Sequence, residues 1–377
     1  MTQQEQIGWW RTTFGDEEVK ILAESVAQER ISQGAVTEKL ESRFAEALDV
    51  PYVVATQTGS AALALAMMAL GIGRDDEVIV PDRTWIATAH AAVMVGARVV
   101  LVDTLEDIPI INVSQIQNAI TPRTKAILPV HLNGRSADMA GIRSIAEEHG
   151  LLVIEDACQA LFSKNADGFL GTQSDAGCFS LGVTKLISTG QGGIVVTRNE
   201  ETYENLKLVR NHGVVDNFTD TWNRMGFNFK FTDLLASFGL AQLSRVPGRL
   251  SHLQTVYATY GSAIAEMDDP LLRLIPVDVS GGEVPLYIEA LCSERDELVG
   301  FLNAQGIQAR PFPPSLHTSE YLGNTGDFPR SRVFADQGMY LPCGPEQPLE
   351  NVERVISALI RYRDDIQRET TARGAQP

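Results

Sequence analysis

Cysteine, histidine, positive charge and long apolar runs are all scarce in this chain, and each scarcity closes a class of function. The four cysteines (Cys158, Cys178, Cys292, Cys343) are widely spaced and form no zinc-like pair, and two fall in apolar strand-like runs. Reduced thiols in a cytoplasmic protein are therefore expected, rather than a disulfide framework. The six histidines (His90, His131, His149, His212, His252, His317) are scattered, with no HExxH and no carboxylate-histidine cluster, so no metal site is expected. No uninterrupted apolar run reaches about 18 residues, which argues against a membrane span. The start, MTQQEQIGWW, lacks the basic-then-apolar order of a secretory signal. Lysine plus arginine number 31 against 48 aspartate plus glutamate, a formal charge of -17. With no basic run to override that balance, neither nucleic acid nor an anionic membrane is an expected partner.

What is present is a large apolar fraction. At 377 residues, 44% hydrophobic and 21% charged, the chain buries a sizeable core, with one large domain and a smaller appendage expected. Residues 16 to 29 and Val36 to Leu48 have helical periodicity. Short apolar runs then recur at Val53 to Ala55, Val78 to Val80, Val99 to Val102, Ala126 to Val130, Leu152 to Glu155, Cys178 to Leu181 and Ile194 to Val196. Helical stretches near Ile86 to Val95, Val113 to Ala119 and Asp138 to His149 separate several of them. Continuous apolar strands alternating with helices predict an α/β fold around a mostly parallel seven-stranded sheet covered on both faces.

A helix from Glu201 to Arg210 follows, then a long loop from Val214 to Arg224, a helix starting near Thr232 that Pro247 ends, and another from about Arg249 to Met267. Pro270, Pro276 and Gly281-Gly282 mark a compositional shift. Residues 1–250 are read as the large domain and 251–377 as a smaller C-terminal α+β domain. In the latter, strands are expected at Pro285 to Leu291 and Ile307 to Phe312, with helices at Glu294 to Gln305 and from Leu349 to about Tyr362. The polar stretch from Asp364 onward is expected to fray.

Most of the readable chemistry surrounds Asp175 to Thr197. An apolar strand there leads into a turn carrying Ser180, Thr184 and Lys185, and a glycine cluster feeds a second strand. Alone, such a lysine is usually a solvated loop tip. Upstream, LLVIEDACQ places Asp156 at the end of a buried strand, where open α/β sheets put ligand groups. Thr58-Gly59-Ser60 is a glycine turn entering an alanine-rich helix. Its free N–H groups and the Ser60 hydroxyl suit a phosphate, although Ser60 also fits a simple N-cap. Asp103 ends the strand VVLVD but no GxGxxG precedes it, which argues against a nicotinamide site.

The motifs at Glu155 to Gln159, Phe179-Ser180, Thr184-Lys185 and Thr189 to Gly193, in that order, resemble the DegT/DnrJ/EryC1/StrS family. These are pyridoxal-phosphate-dependent aminotransferases of fold type I acting on nucleotide-linked keto sugars and cyclitols. The likeness runs from about Gly34 to Leu341. It implies pyridoxal 5'-phosphate as cofactor, Lys185 as the amine that bonds the cofactor aldehyde and then moves the substrate proton, and Asp156 as partner of the pyridine nitrogen. It implies further that Gly59, Ser60 and Ser180 hold the phosphate. By the same resemblance Asn228 reaches that phosphate from the other subunit of a homodimer with shared active sites.

Trp85 matches the ring-stacking aromatic, with a core tryptophan as the plainer reading, and Thr84 and Thr88 are placed in the same pocket. Gln159 lies by the ring hydroxyl or bonds loop backbone. His131 is either structural or substrate-facing. His212, Arg310 and His317 are weaker candidates for contacting an acceptor sugar or a donor carboxylate.

The implied reaction moves an amino group from L-glutamate or L-glutamine to a keto sugar or keto cyclitol. Relatives with histidine in place of the lysine perform dehydration, so Lys185 favours amino transfer. Departures from the family pattern are Cys158 where alanine is common, Leu181-Gly182-Val183 before Thr-Lys, and Gln191 in place of a glutamate. Two alternatives stay open: a dehydrating or aromatizing enzyme on a cyclic ketone, and a cofactor-binding regulatory protein without turnover.

Overall fold

The computed structural model of the protein describes residues 6–374. In chain order its strands are β1 (Tyr52–Thr56), β2 (Glu77–Pro81), β3 (Arg98–Val102), β4 (Thr124–Ile127), β5 (Leu152–Asp156), β6 (Lys164–Asn165), β7 (Gly168–Phe169), β8 (Ala176–Ser180), β9 (Gly193–Thr197), β10 (Leu272–Leu274), β11 (Ile288–Cys292), β12 (Arg310–Pro311) and β13 (Gly338–Leu341). Seven form one sheet in the order β1-β9-β8-β5-β4-β2-β3. Only β9 runs against its two neighbours, and the other pairings are parallel. The seven runs read from the sequence are these seven strands.

The apolar runs are continuous because both faces are covered. Along β2, Val78 and Val80 join a core with the helices Gly59–Ala69, Ala87–Met94 and Glu200–Arg210. Ile79, pointing the other way, packs with Ile116 and Ile142 from the helices Val113–Ala119 and Met139–His149. Asp138 caps the second of those helices by accepting from Gly141 N, and Gly150, at φ 65°, ends it in the left-handed region that glycine adopts without cost.

A second, smaller sheet is antiparallel and four-stranded, in the order β10-β11-β13-β12. The helix Val246–Met267 leads into it with Pro247 in its first turn, and so runs unbroken through residue 250. Ile7 and Trp10 bridge to Ile307 and Cys343, which lays the segment ahead of the first helix on the smaller sheet.

Several expectations shift here. The final helix extends from Leu349 to Gly374 instead of ending near Tyr362, so the expected fraying does not hold through Gly374; residues 375–377 lie outside the described chain. The strand expected over Ile307 to Phe312 is only the two-residue β12, and β10, β13 and the helix Pro329–Gln337 were not anticipated. No helix among the described residues is long and apolar enough to cross a membrane.

Candidate active site

The parallel strands deliver their following loops to one edge of the large sheet, where α/β folds gather ligand groups. Asp156 is the last residue of β5, Lys185 follows β8, Gly59 and Ser60 follow β1, and Thr84 and Trp85 follow β2. All six line one cavity of about 510 Å³, together with Cys158, Gln159, Ser180, Tyr287 and Arg310.

Asp156 is 5% exposed. Its Oδ2 accepts from Thr88 Oγ1 at 2.7 Å and its Oδ1 from Cys158 N at 3.1 Å, while Thr84 Oγ1 lies 2.9 Å from Thr88 Oγ1. The carboxyl group is thus fixed in orientation before anything binds. Half-buried Lys185 donates from Nζ to Tyr287 Oη at 3.3 Å. Burial by itself would lower the lysine pKa. Tyr287, Cys158 and Asp156 outweigh it and hold the ammonium above the usual lysine range. Burial and the neighbouring Asp156 carboxylate push the Cys158 thiol well up, leaving it an inert, protonated wall of the cavity.

At the mouth of β1 the N-cap is Thr58, not Ser60: Thr58 Oγ1 accepts from Ala61 N at 3.0 Å. The exposed Ser60 hydroxyl is thereby left available beside the first amides of an eleven-residue helix. A Cβ at Gly59 would sit 2.8 Å from Ser180 Cβ and 2.9 Å from Cys158 Sγ, so only glycine lets this turn close onto the end of β8. Amides at a helix start, with hydroxyls of Ser60 and Ser180 beside them, form a donor set suited to a phosphate. With an amine, a buried carboxyl group and an aromatic face in the same cavity, the residues fit pyridoxal phosphate.

Trp85 lines the cavity with 59% of its surface exposed, which does not match a core tryptophan. Gln159 also lines it, and its Oε1 accepts from Asn133 N at 2.9 Å. Arg310 places its guanidinium 4.6 Å from the Trp9 ring centre.

The other candidates lie elsewhere. His131 is fully buried: Nδ1 accepts from Ala137 N, so Nε2 donates to Glu155 Oε2 at 2.9 Å, and the ring is committed to structure instead of facing a substrate. His317 pairs through Nδ1 with Asp82 Oδ2 at 2.7 Å and stacks on Phe328, away from the cavity lining. His212 is exposed at φ 61° and Asn228 is exposed beside it, the two segments bridging through Asn211; neither lines the cavity formed by this chain. Trp9, Tyr287 and Tyr340 line it without having been anticipated. The paired tryptophans of GWW, ahead of the first helix, were the one available signal for Trp9.

Residues 12–360 match the model of the DegT/DnrJ/EryC1/StrS aminotransferase family. The chain belongs to that family. Among curated relatives, GDP-perosamine synthase of Caulobacter vibrioides is 34% identical over 340 residues, covering 87% of this chain and 90% of the relative. Among solved structures, DesV of S. venezuelae, in complex with a ketimine intermediate, superposes with a TM-score of 0.89 at 30% identity and covers 96% of this chain and 99% of its own. DesI, in the presence of its TDP-sugar product, gives a TM-score of 0.90 at 28% identity, covering 98% and 96%. Family membership makes the protein an aminotransferase of a pyridoxal-phosphate-dependent class, with the fold type expected from the sequence.

Proposed function

We propose that this protein transfers an amino group from an L-amino acid, glutamate or glutamine, to the ketone of a nucleotide-linked sugar. The observation that carries the reading is the convergence of Lys185, Asp156 and the Gly59–Ser60 helix entry on a single cavity. The nucleotide-linked substrate is supported by the names of the relatives, which cite a GDP-linked and a TDP-linked sugar.

In this reading Lys185 would hold pyridoxal phosphate through Nζ, Asp156 would pair with its ring nitrogen, Trp85 and Gln159 would contact the ring, and Gly59, Ser60 and Ser180 would supply donors to the phosphate. When bound, the cofactor supplies an electron-accepting ring that makes a substrate C–H bond acidic. The chain does the rest. Lys185 Nζ, freed when the donor amine replaces it, would act as the base that removes the donor's α proton and, in the second half-reaction, as the acid that delivers a proton to the former carbonyl carbon. Asp156, fixed by Thr88 and the Cys158 amide, keeps a negative group at one point of the cavity. Arg310, exposed at the cavity rim, is suited to an anionic group of donor or acceptor.

The reading includes a cytoplasmic homodimer. Val215, Phe218, Trp222 and Met225 expose large apolar surface on the loop that runs to Asn228, and a second copy covering that face would bring the partner subunit's Asn228 to the phosphate. The four cysteines are free thiols, three of them buried.

The test is incubation with a nucleotide-linked keto sugar and each amino acid, followed by mass spectrometry. Formation of the amino sugar together with one equivalent of keto acid supports the reading; a dehydrated sugar with no consumption of donor contradicts it.

A further inference from the structure

Lys185 is not held by the large sheet alone. Among the described residues its hydrogen-bond acceptor is Tyr287 Oη at 3.3 Å, which comes from the segment leading into β11 of the smaller sheet. Tyr287 Oη in turn donates to the Thr184 carbonyl at 2.9 Å. With its single proton placed there, the hydroxyl presents only lone pairs to the lysine.

The tyrosine is itself pinned. Trp9 stacks on its ring with centres 6.1 Å apart, and Trp10 and Tyr340 each meet it edge-on at 5.4 Å. Asn133 grips its backbone: Oδ1 accepts from Tyr287 N at 2.5 Å and Nδ2 donates to Tyr287 O at 3.0 Å. Asn133 does so from a fully buried position in the left-handed region (φ 55°, ψ 36°), a conformation asparagine adopts more readily than other non-glycine residues. Its own N–H donates to Gln159 Oε1 at 2.9 Å. One buried asparagine thus ties Gln159 on one side of the cavity to the tyrosine behind the lysine.

We propose that Tyr287 is a positioning residue for Lys185, set in place by Asn133, so that the smaller sheet decides where the lysine amine sits and what its protons bond to. The inference rests on the reading of Lys185 as the cofactor-binding amine. The titratable groups facing Lys185 are Tyr287 ahead of β11, Asp156 at the end of β5 and Cys158 in the loop after it. An oxygen offering lone pairs favours the charged amine, in keeping with the raised lysine pKa.

The experiment uses the cofactor-free protein with pyridoxal phosphate alone as probe. Only the neutral amine forms the C–N bond to the aldehyde, whose oxygen leaves as water. The pH midpoint for appearance of the lysine-dependent visible band therefore reports how firmly Lys185 keeps its proton. Tyr287→Phe keeps the ring and its aromatic neighbours, and Asn133→Gly keeps the left-handed backbone while deleting both side-chain bonds. Thermal unfolding of each variant is followed alongside.

Tyr287→Phe is expected to capture the probe with its midpoint lowered by about one pH unit. Asn133→Gly should shift the same way by less, and the double variant no further than Tyr287→Phe. An unchanged midpoint in Tyr287→Phe overturns the proposal, including the case where stability alone falls. A wild-type protein whose band is absent, or persists in Lys185→Ala, overturns the underlying reading as well, and so separates the two failures.

Discussion

Thr88 Oγ1 donates to Asp156 Oδ2 at 2.7 Å, and Thr84 Oγ1 lies 2.9 Å behind it, so the acid expected to face the cofactor ring has a hydroxyl pair at its back. All three residues are buried. Thr88→Val keeps the shape and deletes the donor. Affinity for pyridoxal phosphate, read by absorption titration, is expected to fall about tenfold, the worth of one hydrogen bond to a charged group. Thr88→Ser restores most of it; equal affinity in Thr88→Val would deny the hydroxyl any part.

Gly59 answers to sterics. Its missing Cβ would press on Ser180 and Cys158, both at the cavity wall. Gly59→Ala is expected to cost about 1–3 kcal/mol of stability by overpacking. It should also weaken cofactor binding more than Ser60→Ala does, because it moves the turn and not only one donor. Denaturant unfolding and the same titration check both effects.

Glu155, one residue before Asp156, is fully buried and accepts from His131 Nε2, Gly171 N, Gln173 N and Ser174 Oγ. Burial alone would raise its pKa; His131 and the two amides outweigh that and hold it below its ordinary 4.5. A carboxyl group whose pKa is lowered by folding contributes stability fully above its unfolded value. That contribution is lost as pH falls through the lower, folded one. Glu155→Gln turns one acceptor into a donor facing amides. It is expected to cost about 3 kcal/mol at pH 7, and to lose less than wild type on acidification below pH about 4.5. Urea unfolding at a series of pH values reads both changes.

Arg135 locks the two sheets together. Its Nη1 donates to Glu289 Oε2 at 2.6 Å with both side chains 1% exposed, and its remaining donors reach the carbonyls of Pro276 and Ile275. Arg135→Met leaves a buried carboxylate unpaired, and breaking such a pair costs about 3–5 kcal/mol. Arg135→Met with Glu289→Leu should recover most of that. A double variant as unstable as the sum of the singles would contradict the pairing.

The large sheet was legible because strands buried on both faces write themselves as unbroken runs such as EVIVP and RVVLV. Of the smaller sheet the five-residue β11 was legible as the run Pro285 to Leu291, whereas β10, β12 and β13, two to four residues long, carry too few side chains to show a period. Within the site, Lys185, Asp156 and Gly59 were readable from local motifs. Tyr287 and Trp9 were not, because each reaches the cavity through contacts far away in sequence. The same distance hid the helix cap at Ala35–Leu48, whose donors Gly34 N and Thr37 N go to Asp233. His131 stayed open between its structural and substrate-facing readings because a strand-end histidine looks the same whether it faces substrate or, as here, a buried glutamate.

The central claim is that Lys185 binds the cofactor and gives it up to an amino donor. The most direct measurement is the visible absorption spectrum of purified wild-type protein and Lys185→Ala with added pyridoxal phosphate, titrated with L-glutamate and L-glutamine. Expected is a band in the wild type alone that one donor converts to the pyridoxamine form. A band that also forms in Lys185→Ala, or a wild-type band that neither donor changes, would contradict it.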